Sequence, residues 1–153
     1  MSLTAITTGI HLIAAIAWVG GMFFTYTSLR PASVQLPSEQ RLVLWRDALG
    51  RFFGWVWICI AVLLVTGYTD VATRFGAIGQ WPAYLHGMQD LGLVMIGLFT
   101  YLYFVPFRRL KARVGAGDLE GAAKAMAGIR QVVAINLGLG MVVGFIGASG
   151  PFW

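Results

Sequence analysis

The chain is short of what a water-soluble protein needs. Of its 153 residues only 11% are charged, six of them acids, and it holds two histidines and a single cysteine. Soluble domains carry about 25% charged residues, so an ordinary cytosolic fold is excluded. One cysteine, Cys59, leaves no intramolecular disulfide, no CxxC pair and no thiolate metal cluster. Neither a GxSxG elbow nor a phosphate-binding P-loop occurs. No Lys or Arg precedes the first apolar stretch, and no short apolar core with a cleavage site follows, so the N-terminal segment reads as a retained span. What the chain has is apolar bulk: 58% hydrophobic residues, with ten Phe, six Trp and five Tyr. That richness excludes disorder. A membrane protein remains, and since a helix needs about 20 apolar residues to cross the hydrocarbon, the length accommodates four spans.

The expected fold is therefore all-α, a single integral membrane four-helix bundle over residues 1–153. Apolar runs place the spans at about 3–27, 52–68, 82–105 and 131–149. Proline is expected to stop the first at Arg30-Pro31 and the third at Pro106. Ser38 is a candidate cap for a helix carrying Leu42, Trp45, Leu49 and Phe52 at helical spacing, read as an interfacial helix that then turns inward. Pro82 suits a first helical position, and Gly117-Asp118 suits the start of a short Ala-rich helix leading to Arg130. Ten of the eleven Lys and Arg residues fall in the loops 28–51 and 106–130, and only Arg74 in the loop 69–81. Basic loops stay cytoplasmic, so both termini and the loop 69–81 are expected on the periplasmic face of a bacterial inner (plasma) membrane. Gly138, Gly140, Gly144 and Gly147 mark the fourth span as one that packs closely on a neighbour, through a Gly140-x-x-x-Gly144 pair, and would suit a homodimer.

Ionisable residues inside spans are costly and point to function. His11 lies roughly 12 Å into the first span at 1.5 Å per residue, and His86 about one turn into the third. Two imidazoles on separate helices at one depth suit axial ligation of haem b. Ala14, Ala15 and Gly87 leave room beside them for a flat macrocycle, Trp18 and Trp81 supply aromatic walls, and Arg74 is a candidate partner for a propionate. Asp90, four residues after His86, is a candidate to orient that imidazole or relay protons. The same residues admit copper, since His86-x-Met88 pairs a nitrogen with a thioether and soft sulfur favours Cu(I). Met22, Met95 and Met141 read as packing, and Asn136 as an interhelical hydrogen bond.

With His11, Trp18-Val19-Gly20-Gly21, Arg30-Pro31-Ala32, Thr66-Gly67-Tyr68, His86 and Ile129-Arg130 followed by Asn136-Leu137-Gly138, the chain resembles the CopD family of small integral membrane proteins and, more broadly, the HemJ-type protoporphyrinogen oxidases. The first resemblance implies copper uptake or tolerance with ligands on the periplasmic side. The second implies a b-type haem held by a first-span histidine, here His11, and oxidation of a porphyrinogen. Three readings stand at this point. One is a haem b protein in electron transfer or in quinone- or porphyrin-linked oxidation, ligated by His11 and His86, with a quinone or redox protein as partner. Another is a copper-binding or copper-transporting protein using His11, His86 and Met88. The third is a noncatalytic accessory subunit. No nucleic-acid partner is expected, because the basic residues sit in loops.

Overall fold

Lipid offers a backbone no hydrogen-bonding partner, so a segment that spans it outside a closed β-barrel must be helical. The computed structural model describes residues 2–76 and 81–152, as helices joined by short turns and with no strand among the described residues. Ser2 starts α1 (Leu3–Phe24) by accepting the Ala5 N–H at 3.3 Å. α2 (Arg30–Ser33) follows, then α3 (Ser38–Phe75), α4 (Ala83–Leu102), α5 (Arg108–Gly115) and α6 (Leu119–Ser149), with a 3₁₀ turn at Gly150–Phe152. Four rods built from them, Leu3–Ser33, Ser38–Phe75, Ala83–Gly115 and Leu119–Phe152, are long and apolar enough to cross a membrane.

The rods run further than the apolar runs. Pro31 and Pro106 do not stop their helices, because a π-helical turn carries each rod past them, at Thr25–Leu29 and Tyr103–Phe107. A proline ring clashes with the carbonyl four residues back, and the wider π turn moves that carbonyl aside. The expected interfacial helix does not turn inward; it is the first third of the continuous α3, whose first residue is Ser38, with Pro37 rather than a serine at its cap. Pro82 likewise precedes α4 instead of opening it. Asp118 caps α6 as expected, its carboxylate accepting the Gly121 N–H at 2.8 Å, but that helix continues unbroken to Ser149. Gly76 closes α3 with φ of 69°, a left-handed conformation open to glycine. Of the expected loop 69–81, residues up to Phe75 are therefore helical, and 77–80 lie outside the described residues.

α1 packs along α3, α4 along α6, and α1 also meets α6. Ala14, Trp18 and Met22, four residues apart on α1, form its buried stripe. α3 and α4 face each other through large aromatics: Phe53 meets Phe99 at 5.4 Å and Phe107 at 4.9 Å, edge to face, and Trp57 meets Phe99 at 5.1 Å. Trp45 ties α3 to α2 by donating its indole N–H to Ser33 at 3.1 Å. The outside is apolar, with Ile13, Trp55, Val65 and Phe145 all about two-thirds exposed, as a lipid-facing surface requires. Glycine contacts on α6 fall seven residues apart, not four. A Cβ on Gly140 would stand 2.8 Å from Val19, and one on Gly147 would stand 3.0 Å from Met88, while Gly138 and Gly144 have open space. The close face is thus Gly140 with Gly147, correcting the Gly140-x-x-x-Gly144 expectation.

Candidate functional site

The topology gathers the chain termini, both histidines and the α3–α4 turn at one end of the bundle, and the arginine-rich turns at the other. At the termini end α1 and α3 run antiparallel, so residues four apart on one helix meet residues four apart on the other. His11 meets Thr66, with Nδ1 to Oγ1 at 2.9 Å, and the Thr7 and Thr8 hydroxyls lie 3.2 and 3.0 Å from the Asp70 carboxylate. Gly67 makes room for the imidazole, since a Cβ there would stand 3.1 Å from Cε1.

The Thr66 hydroxyl decides the state of the histidine. Its oxygen is 2.6 Å from the Val62 carbonyl. Two oxygens at that distance need a proton between them, and a carbonyl has none, so the hydroxyl hydrogen is committed to Val62. Thr66 can then only accept from His11. A neutral imidazole that uses this acceptor carries its proton on Nδ1, the tautomer in which Nε2 has the lone pair. This hydrogen bond is the kind of outer support that metal-binding histidines require.

His86, near the start of α4, lies at the same end with other neighbours. Trp81 stacks on it at 5.6 Å and 29°, and in turn touches Tyr68 of α3 at 6.4 Å. Trp81 also donates its indole N–H to the Gly76 carbonyl at 3.3 Å, which anchors it over the α3 terminus. Among the described residues no hydrogen bond joins the two imidazoles. Met88 turns toward α6, its sulfur 3.4 Å from the Cβ position of Gly147. No group of three or more His, Cys, Asp and Glu side chains suited to a metal forms among the described residues.

The remaining candidates take these places. Ala14 is buried and Ala15 half-buried beside His11, and Gly87 has open space beside His86. Trp18 is 4% exposed and meets Phe99 edge to face at 6.1 Å, in the core rather than at the imidazole. Arg74 lies 3.6 Å from Asp70, one turn back on α3. Asp90 is exposed and makes no hydrogen bond to His86 among those formed by the described residues. Asn136 does make the expected interhelical bond, donating to the Met95 carbonyl at 3.2 Å. Sequence reasoning gave Thr66 a place only in a family motif and passed over Asp70. The signal was present, because two polar residues one turn apart at the end of an apolar run sit opposite Thr7 and His11, also one turn apart.

A family model described as copper resistance protein D matches residues 46–149, from the basic end of α3 to the end of α6. No curated protein matches the chain, and no solved structure does. The match takes in Thr66, Asp70, His86 and Met88, begins after His11, and covers about two-thirds of the length: the chain belongs to the CopD family.

Proposed function

We propose that this protein handles copper at a bacterial plasma membrane, taking the ion up at the end that carries its termini. The observation that carries the proposal is the His11–Thr66–Val62 chain of hydrogen bonds, which holds a half-buried imidazole in place at this end of the bundle. His86 and Met88 add a second nitrogen and a thioether at the same end, a donor set suited to copper and, through sulfur, to Cu(I). In this reading the two imidazoles, with different neighbours, act as successive sites. The gathering of basic residues at the opposite end supports a periplasmic position for the donors. The family's description speaks for copper rather than haem b.

Metal analysis and visible spectroscopy on the detergent-purified chain test this. Copper should co-purify or titrate onto the protein, and His11→Ala should lose most of that binding while staying folded. A Soret band with iron in place of copper would overturn the copper reading, and unchanged copper binding in His11→Ala would overturn the assignment of His11.

A further inference from the structure

Five methionines fall among the described residues, and they divide sharply. Met141 faces outward, 59% exposed, whereas Met22, Met95 and Met126 are at most 5% exposed and Met88 is half-buried. The four inward ones follow one seam. Met88 and Met95 lie two turns apart on α4, about 10 Å in depth, and each thioether rests where α6 has a glycine: a Cβ on Gly147 would meet Met88 at 3.0 Å, and one on Gly140 would meet Met95 at 3.2 Å. Val19 of α1 meets the same Gly140. Met22, three residues later on that helix, therefore continues the seam about one turn toward the basic end. Beyond Met22 a cleft that begins at Thr25 and Tyr26 runs on past Ile129 to Met126, which lies about 16 Å nearer the basic end than Met22.

Methionine in an irregular gap is explained by packing. The residue beside this run is not. Asn136 is 2% exposed and binds the Met95 carbonyl through Nδ2, yet its Oδ1 has no partner. Buried polar atoms are normally hydrogen-bonded, and a polar group inside a span is costly to leave unpaired. Asn136 lies one turn from Gly140 toward the basic end, so a cation passing the seam would reach its level at about the depth of Met22.

We propose that the seam between α1, α4 and α6 is a conduction path for Cu(I), from Met88 to Met95, past Asn136 Oδ1, to Met22 and the cleft beside Met126. Thioethers hold Cu(I) without holding harder ions, and conduction needs several weak sites rather than one tight one. The ion keeps its charge throughout, so no electron or co-reactant is required. This rests on the copper reading and adds to it a route and an oxidation state.

The test is flux into liposomes carrying the full chain, with Cu(I) kept reduced by ascorbate and Ag(I) as a redox-inert probe, each read by a chelating dye in the lumen. Met22→Leu and Met95→Leu, near in volume and so expected to fold, should slow both ions roughly tenfold or more, the scale on which loss of a metal-supporting group acts. Met141→Leu should leave flux unchanged. Wild-type flux in both seam variants, or wild-type liposomes no more permeable than empty ones, would overturn the path. The two proposals fall separately. Normal copper binding in His11→Ala, with Ag(I) flux still lost in the methionine variants, removes the histidine site and keeps the path; loss of binding in His11→Ala, with flux intact in those variants, does the reverse.

Discussion

The two ends of the bundle are built from the same helices and solve different problems. Phe53 and Thr66 both lie on α3, thirteen positions apart. Phe53 is 1% exposed and meets Phe99, Phe107, Tyr103 and Phe52 through aromatic edges and faces. Thr66 is 7% exposed but spends its packing on a hydroxyl that fixes an imidazole. Between lipid-solvated helices there is little hydrophobic drive to associate, so close van der Waals packing must hold them together. The aromatic half supplies it. The termini half is thereby free to carry His11, Asp70, His86 and Gln89, groups that contribute little to cohesion and, with Gln89 Oε1 unpaired, some strain.

If that division is real, the two halves break independently. Phe53→Ala should have the largest effect on stability, about 3 kcal/mol as for other buried Phe truncations, read as a lower melting temperature in detergent. Below that temperature copper binding should persist, and its loss in a folded variant would show that the halves are coupled. Thr66→Val is the complementary cut. It keeps the shape, removes the acceptor for His11 Nδ1, and frees the imidazole to rotate or change tautomer. Copper affinity should fall roughly 10- to 100-fold, while melting shifts by less than about 1 kcal/mol, the usual scale of a hydrogen bond between membrane helices. A titration and a melting curve on each variant decide the matter, and an equal loss of both properties in Thr66→Val would dissolve the distinction.

A finer comparison lies on α6. Gly140→Ala drives a methyl into Val19 and should cost about 1–2 kcal/mol, whereas Gly144→Ala meets open space and should be neutral or slightly stabilising, since alanine favours helix more than glycine does. Melting of the two single variants side by side checks this, and equal losses would mean that the helix face is set by something other than Gly140 and Gly147.

Which parts were legible in the sequence follows from the range of the forces involved. The four rods were, because lipid imposes helix and length on any apolar run, and so was the Asp118 cap, which is settled within four residues. Asn136 was legible as an interhelical donor because an amide in a span must find a partner. Pro31 and Pro106 misled because a π turn is decided by the continuation of packing on the far side of the proline, not by the proline itself. The glycine face misled for a related reason: Gly144 differs from Gly147 only through what α1 and α4 set against them. Thr66 and Asp70 were hidden because their partners, His11 with Thr7 and Thr8, are more than fifty residues away, and only the antiparallel register of α1 and α3 brings them together.

The smallest expected effect belongs to the turn between α5 and α6. The Gly121 N–H, followed by the Arg113 guanidinium at 2.6 Å, holds the Asp118 carboxyl below its ordinary value. A carboxyl whose folded value is depressed stabilises the fold while ionised, fully above the unfolded value near pH 4, and loses that contribution as pH falls through the folded value. Asp118→Ala should therefore melt slightly below the wild type at neutral pH and converge on it under acid conditions below about pH 4. Asp118→Asn separates the two causes, because asparagine caps a helix nearly as well as aspartate but carries no charge. If the cap dominates, Asp118→Asn keeps most of the wild-type stability and shows no acid-dependent step of its own; if the ion pair with Arg113 dominates, it falls to the level of Asp118→Ala. The first outcome is expected, since the pair is solvent-exposed and such pairs contribute little. Either way copper binding at the opposite end should not move, and a shift there on changing Asp118 would show that the two ends communicate along α6.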